Sequence, residues 1–358
     1  MPEIFGRHYD RHALEIRIGD APQLGGITPI LYDEGRARGT SGFLLRTGGG
    51  LEVEIVADRA LDVVSATYRG IPLTWRGPGG LAHPAYSSLG INAFERNFFG
   101  GLMTTCGLQA FGPAGSDVDG AWQEHGYINH APAQSVTHRA LWGEDDCTFE
   151  ITGTVREARM FGAALRLERT WRAELGGTTL RLHDRVTNEG GESTPHMLLY
   201  HCNAGFPLLD VETELSVTHL AVRPRDAEAR AALAVWNRGG QPQSGFKEQV
   251  FIHEPCAGED GWARAIVSNP RLLGGRGVAL AVRFRPDQLP ALMTWRMLGV
   301  KTYVMAMEPA NCAAIEGRTF AREHGSLPFL EPGETRDYEL EFAVTEALTA
   351  ASERSAKG

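Results

Sequence analysis

The chain has 358 residues, 42% of them hydrophobic, and its 44 acidic and 35 basic side chains give a formal net charge of −9 at pH 7. The acidic balance and the absence of a Lys/Arg cluster argue against nucleic acid or an anionic membrane surface as a partner, since both require a basic patch. With no apolar run of about 18 residues and a charged N-terminus, the sequence predicts a soluble cytoplasmic protein that binds a neutral small molecule.

The predicted secondary structure is almost entirely β. Short runs that alternate apolar and polar residues are separated by glycine-rich turns, and helical periodicity is scarce. In chain order, the predicted strands lie around residues 51–55, 165–171, 180–186 and 338–344. The turn at Gly176 and Gly177 makes the middle two strands a hairpin, and residues 225–236 are the best helix candidate. This pattern predicts an all-β protein, a large antiparallel sandwich with few short helices.

We expect a single domain over residues 1–346, because no internal repeat or long linker divides the chain. The segment 347–358, rich in Ala, Ser, Glu and Lys, is expected to be a flexible tail. The five cysteines are scattered and contain no C-x-x-C pair, so the sequence predicts reduced thiols and no zinc knuckle. Edge strands of large sandwiches often pair between copies, which makes a homodimer one of the expected states.

Two segments in the first half of the chain carry side chains suited to a ligand. Arg59 can donate a fork of hydrogen bonds to a hydroxyl or carboxylate, and Trp75 can line a pocket. A salt-bridged strand end and a core tryptophan explain these two residues as well. His125, in a loop before Gly126, can present its imidazole to a sugar hydroxyl, although a loop histidine is more often a surface or capping group.

Two predicted strand ends carry further polar residues. Alternation places His201 and Asn203 on an apolar face, where polar groups must be hydrogen-bonded inside or point into a cavity. A satisfied core histidine is the alternative. Glu308 ends an apolar run, and burial there raises the pKa of a carboxyl, as a general base requires. A salt bridge to an arginine is the alternative for Glu308, and Glu316 is a competing candidate for the base.

Four short motifs follow one another in order along the chain: HG at 125–126, YHCN at 200–203, MEP at 307–309 and LEPGET at 330–335. In this order they resemble the galactose-mutarotase-like (aldose 1-epimerase) superfamily. The segments RALD, GGLMTTCGL, EHGYINHAP and LLYHCNAGFPLL are similar to a bacterial branch labelled only as aldose-1-epimerase-like. The resemblance covers nearly the whole chain and implies a β-supersandwich of large antiparallel sheets.

The resemblance also implies roles for individual residues. His201 resembles the general acid, Glu308 the general base, His125 the second histidine that holds the sugar, and Arg59 a ligand-binding arginine. Asn203 and Trp75 are the further predicted sugar-binding residues. The implied reaction interconverts the anomers of a neutral or weakly acidic sugar by acid-base opening and closure of the ring, without a metal or an organic cofactor. Cys202 stands where the superfamily usually has proline.

Three other functions remain open at this point. An isomerase, lactonase or lyase acting on a sugar acid or keto-sugar would use the same acid and base, with arginines binding the carboxylate. A non-catalytic sugar-binding module would need no matched acid and base. A metal-dependent cupin-like enzyme is the least favoured, because the sequence has no H-x-H motif followed by a glutamate at ligand spacing.

Overall fold

The structure is a computed structural model that describes residues 1–4, 6–87 and 93–346. The predicted flexible tail, 347–358, lies outside the described residues. The strands are β1 (Glu3–Ile4), β2 (Arg7–His8), β3 (Gly26–Leu31), β4 (Ser41–Arg46), β5 (Leu51–Val56), β6 (Asp62–Tyr68), β7 (Ile71–Pro72), β8 (Thr104–Cys106), β9 (Gly115–Asp117), β10 (Gly120–Trp122), β11 (Gln134–Trp142), β12 (Cys147–Ala158), β13 (Ala164–Glu174), β14 (Thr179–Asn188), β15 (Thr194–Pro195), β16 (Leu199–Gly205), β17 (Glu214–Val217), β18 (His219–Pro224), β19 (Gln249–Pro255), β20 (Ala263–Asn269), β21 (Val278–Phe284), β22 (Ala291–Gly299), β23 (Thr302–Ala310), β24 (Phe329–Leu330) and β25 (Thr335–Thr345).

The helices between these strands are short. The α-helical segments are α1 (Arg11–Glu15), α2 (Ala93–Asn97), α3 (Ala227–Ala231), α4 (Leu272–Gly275) and α5 (Arg318–Glu323). Single 3-10 turns lie at Ala21–Gln23, Gly35–Ala37, Pro84–Tyr86, Ile128–His130 and Leu233–Val235. The helix predicted over 225–236 is therefore present as α3 followed by a 3-10 turn, and its start is capped by the Asp226 carboxylate, which accepts from the Ala229 N–H.

Three large antiparallel sheets contain most of the strands. An eight-stranded sheet has the order β11-β12-β13-β14-β25-β21-β20-β17, and a six-stranded sheet has the order β18-β19-β22-β23-β16-β8. A five-stranded sheet runs β3-β4-β5-β6-β7, and the pairs β1-β2, β9-β10 and β15-β24 are small ribbons. The prediction of an all-β fold with large antiparallel sheets and few short helices is confirmed.

Period-two alternation forms these sheets because one face of each strand is buried. In β5, Leu51, Val53 and Ile55 are buried while Glu52 is exposed. The predicted hairpin is formed by β13 and β14, with Trp171 opposite Leu182. The large core cluster takes side chains from all three sheets, so each sheet buries one face against the same core.

Both faces of the six-stranded sheet are buried along β16. One face packs on the large core, and the opposite face carries His201. Tyr200 and Cys202 point into the large core, whereas Leu199 belongs to a separate cluster on the opposite side. His201 shares the parity of Leu199, so it faces this second cluster. Four aromatic residues of that cluster line a cleft at this face: Trp75 after β7, Phe94 on α2, Phe98 just after α2, and Trp295 on β22.

Candidate active site

His201 and Glu308 are cross-strand neighbours on β16 and β23. The two strands pair antiparallel with Cys202 opposite Met307, and this register puts the next residues, His201 and Glu308, across from each other. His201 Nε2 lies 3.4 Å from Glu308 Oε1, and both side chains are more than nine-tenths buried. The structure therefore brings together the predicted acid and the predicted base, which are more than 100 positions apart in the sequence.

Aromatic rings surround this pair. The ring centroid of His201 lies 4.9 Å from that of Phe98 and 5.5 Å from that of Trp295, in both cases edge to face. Trp75 packs edge-on against Trp295, with ring centroids 6.2 Å apart. Such rings offer apolar faces on which the C–H side of a sugar ring can stack. Trp75, predicted as a pocket residue, does line this cleft.

The cleft is open to solvent and has a volume of about 740 Å³, enough for a sugar-sized ligand. Its lining combines the acid-base pair and the aromatic rings with several carboxylates. The lining residues are Trp75, Pro78, Phe94, Glu95, Phe98, Gly112, Pro113, Glu124, His125, His201, Arg225, Glu248, Val250, Trp295, Thr302, Glu308, Ile315 and Glu316.

His125 is held in this cleft by an unusual backbone conformation. Its φ is +56°, in the left-handed region, and Gly126 follows with φ +76°. A Cβ at Gly126 would lie 2.3 Å from the Gly107 carbonyl oxygen, which explains why glycine follows the histidine. The imidazole ring centroid lies 5.9 Å from that of His201. The predicted second histidine thus faces the same space as the acid-base pair.

Burial favours the uncharged form of all three titratable groups. It raises the pKa of Glu308 to about 8, with the nearby carboxylate of Glu248 adding to the effect. It lowers the pKa of His201 to about 3, with His125 as a further cause, and lowers the pKa of His125 to about 4. Near neutral pH, Glu308 therefore keeps its proton while His201 is free to accept one.

Several buried polar atoms at the pair lack a hydrogen-bond partner among the described residues. They are His201 Nδ1, Asn203 Oδ1 and Glu308 Oε1. Asn203 itself lies on the same face of β16, and its side-chain amide donates to the carbonyls of Gly101 and His201. Asn203 does not line the cleft, so its contact is with the backbone of the histidine strand. Unpartnered buried groups are costly, and a bound ligand can satisfy those that reach the cleft.

Arg59 is not brought to the cleft. Its guanidinium is fully buried and donates to three backbone carbonyls, those of Ala82, Asn97 and Asn129. Burial lowers its pKa to about 10. All three of these bonds tie together loops of the protein itself, so this placement indicates a structural role rather than the predicted contact with a ligand.

Glu316, the alternative candidate for the base, also lines the cleft but in a different environment. It is partly exposed, and its carboxylate lies 3.5 Å from the guanidinium of Arg223. Among the described residues, no arginine or lysine forms an ion pair with Glu308, which is the carboxylate that lies beside His201. Of the two carboxylates, the geometry favours Glu308 for proton transfer.

Sequence reasoning did not identify Trp295, Arg225, Glu248 and Glu124 as cleft residues. Trp295 donates from Nε1 to Glu248 Oε2 at 3.0 Å, and Arg225 donates to Glu248 Oε1 at 2.7 Å. Trp295 lies on β22, and Arg225 and Glu248 flank β18 and β19. Glu124 lies in the loop after β10, inside the EHGYINHAP segment whose histidine was the predicted site residue. Their convergence in the fold brings these side chains to one cleft.

Two features are absent from the described part of the chain. Within residues 1–4, 6–87 and 93–346, no three His, Cys, Asp or Glu side chains are grouped so that they could hold a metal ion. In the same ranges, no helix has the length and apolar character that crossing a membrane requires. The expectations of no metal and no cofactor stay predictions.

Comparison with known families finds a match over most of the chain. The family described as a domain of unknown function, DUF4432, matches residues 37–344. Comparison with curated proteins finds no significant match.

Comparison with solved structures finds the same fold. A candidate aldose 1-epimerase from Klebsiella pneumoniae is 22% identical, with a TM-score of 0.85 over 97% of this chain and 90% of that one. A galactose mutarotase-like protein from Clostridium acetobutylicum is 12% identical, with a TM-score of 0.62 over 90% of this chain and 99% of that one. A galactose 1-epimerase from Lactobacillus acidophilus is 13% identical, with a TM-score of 0.54 over 90% and 99%. The galactose-mutarotase-like fold expected from the motifs is confirmed.

Proposed function

The chain belongs to the DUF4432 family, and from this premise and its buried acid-base pair we propose that it is a sugar mutarotase, an enzyme that interconverts the two anomers of a reducing sugar. The observation that carries the proposal is the 3.4 Å approach of His201 Nε2 to Glu308 Oε1 within an aromatic cleft. A sugar-binding module would not need two matched proton-transfer groups, and burying both without a ligand role is costly.

The proposed reaction needs one proton acceptor and one proton donor. The acceptor removes the proton from the C1 hydroxyl while the donor protonates the ring oxygen, and the bond from C1 to the ring oxygen breaks to give the open-chain aldehyde. After rotation about the C1–C2 bond, the two proton transfers run in reverse and the ring closes on the other face. Each residue therefore donates and accepts once per cycle, and the pair carries a single proton throughout.

The resemblance implies that His201 acts as the acid in ring opening and Glu308 as the base. Burial alone favours the opposite distribution, with the proton on Glu308. A pair in this state enters the same cycle with Glu308 donating to the ring oxygen and His201 accepting from the C1 hydroxyl. The proposal therefore requires the pair as a unit, and either residue can begin as the donor.

The proposal is tested by polarimetry on fresh α-anomers of a panel of aldoses. We expect the protein to accelerate the approach to anomeric equilibrium for at least one sugar, and His201→Asn to lose this acceleration by about 10²- to 10⁴-fold, because the variant lacks one proton-transfer group. His12→Asn, which changes an exposed histidine on α1, is the matched control and should retain the rate. If no aldose is accelerated over its spontaneous rate, the proposed function is wrong.

The pH dependence of this activity follows from the single proton on the pair. We expect kcat/KM to hold between about pH 5 and pH 7 and to fall as the pH rises through about 8, where Glu308 loses its proton. Rates measured from pH 5 to pH 10 with one accelerated sugar check this. A rate that instead rises with pH through 6.5 would show that His201 titrates like an exposed histidine, against the effect of its burial.

A further inference from the structure

Charge around the cleft is unbalanced towards the negative. Among the described residues, five carboxylic side chains line the cleft, whereas a single arginine does so. The carboxylic residues are Glu95, Glu124, Glu248, Glu308 and Glu316. The catalytic proposal uses only Glu308. The other four carboxylates therefore call for an explanation in terms of what the cleft binds.

The lining arginine is already neutralised by its neighbours. Arg225 donates to Asp226 at 2.9 Å and to Glu248 at 2.7 Å. The nearby Arg223 lies beside Glu316, at 3.5 Å. A sugar carboxylate or phosphate entering the cleft would have to displace these ion pairs and would face the remaining carboxylates unshielded.

Glu124 is a lining carboxylate that has no counter-charge among the described residues. It is half-buried in the loop beside His125, and no hydrogen bond or ion pair from the described residues satisfies it. Glu95 and Glu248 line the same cleft as Glu124. Burial raises the pKa of Glu124, and the carboxylates of Glu95 and Glu248 raise it further. A cation bound beside Glu124 and Glu95 would relieve this repulsion.

A buried group in the same cleft also points to a ligand donor. Glu308 lines the same cleft with only 3% of its side chain exposed, and its Oε1 atom has no hydrogen-bond partner in the described residues. The carboxylate of Glu248 acts on Glu308 as well as on Glu124. Glu308, Glu124 and Glu95 thus all line one cleft that is large enough for a sugar-sized molecule.

We propose that the preferred substrate of this cleft is an amino sugar whose ammonium group is bound by Glu124 and its neighbouring carboxylates. This inference rests on the proposed mutarotase function and names its substrate class. An ammonium group supplies three donors and a positive charge, which matches the carboxylates of Glu124 and Glu95, for which the described residues provide no counter-ion. A uronic acid or sugar phosphate carries the wrong charge for the same site.

The test compares sugars that share one ring but differ in charge. At pH 6.5, where the amine is protonated, anomer exchange is measured by NMR for galactosamine, galactose, N-acetylgalactosamine and galacturonate. We expect kcat/KM for galactosamine to exceed that for galactose by about tenfold, and galacturonate to fall about tenfold below galactose. N-acetylgalactosamine, which keeps the nitrogen but loses its charge, should lose the advantage. Equal kcat/KM for galactosamine and galactose would overturn the inference.

A variant that removes the charge of Glu124 tests whether this residue causes the preference for galactosamine. Glu124→Gln should lower the ratio of kcat/KM for galactosamine to that for galactose by about fivefold, because one acceptor charge is lost. Glu144→Gln, which removes an exposed carboxylate that does not line the cleft, should leave the ratio unchanged. An unchanged ratio in Glu124→Gln would also count against the inference.

Failure of the proposed function is distinguishable from failure of this inference. If neither these four sugars nor any aldose of the panel exchanges anomers faster than in buffer, the mutarotase proposal fails. Titration calorimetry of the same sugars then decides the charge preference: tighter binding of galactosamine than of galactose and N-acetylgalactosamine supports it, and equal binding overturns it.

Discussion

Glu308→Gln should reduce anomer interconversion by about 10²- to 10⁴-fold while leaving the fold intact. Glutamine keeps the size of the side chain and its hydrogen-bonding oxygen, but it cannot release or take up a proton. His201 would then face the sugar without its partner, whose Oε1 atom lies 3.4 Å from the imidazole. Polarimetry with an aldose that the wild type accelerates measures the loss.

The stability of this variant gives a readout that separates catalysis from folding. The pKa of Glu308 is raised by burial from 4.5 in the unfolded chain to about 8 in the fold, so its contribution to stability is present at low pH and is lost as the pH rises through 8. Glu308→Gln lacks this titration and should gain stability relative to the wild type between about pH 5 and pH 9. If Glu308→Gln interconverts anomers at the full wild-type rate, Glu308 is not the proton-transfer group.

Arg169→Met should lower the free energy of unfolding by about 3–5 kcal/mol, the largest stability loss that we predict. Arg169 is fully buried on β13 and donates to Asp62 Oδ1 at 2.7 Å and to both carboxylate oxygens of Asp184, at 2.9 and 2.6 Å. Without the guanidinium, two carboxylates remain in the core with no positive charge between them. Urea denaturation of the wild type and the variant measures the difference.

Two further variants identify the cause of that loss. Arg181→Met removes an ion-paired but half-exposed arginine from the adjacent strand β14 and should cost less than about 1 kcal/mol. Adding Asp62→Asn and Asp184→Asn to Arg169→Met should recover part of the stability, because no charge then stays unpaired in the core. If Arg169→Met alone were as stable as the wild type, the buried triad of Arg169, Asp62 and Asp184 would not support the fold.

This triad also connects the core to the active-site strand. The Tyr200 hydroxyl donates to Asp184 Oδ2 at 2.8 Å, and Tyr200 is the residue before His201 on β16. Asp62 in turn accepts from the backbone and hydroxyl of Thr105 on β8, the strand next to β16. The conformation of the histidine strand is therefore supported from its core side by buried ionic hydrogen bonds.

Local sequence patterns predicted several of the strands and identified side chains that could serve a ligand. Alternation of buried and exposed residues identifies a strand without knowledge of its partner, because side chains point to opposite faces every second residue. The same alternation separated His201 from Tyr200, and the structure places them on opposite faces of β16 as expected. The HG pair was likewise visible in the sequence, and its glycine is required by close backbone packing.

The tertiary structure alone decided which of these residues meet. The antiparallel register of β16 and β23 sets His201 across from Glu308, and register between strands so distant in sequence depends on the whole sheet. The fold also placed Arg59 on backbone carbonyls and brought Trp295 and Glu124 to the cleft. A side chain's type shows which bonds it is able to make, whereas its partner is chosen by packing between segments that are far apart along the chain.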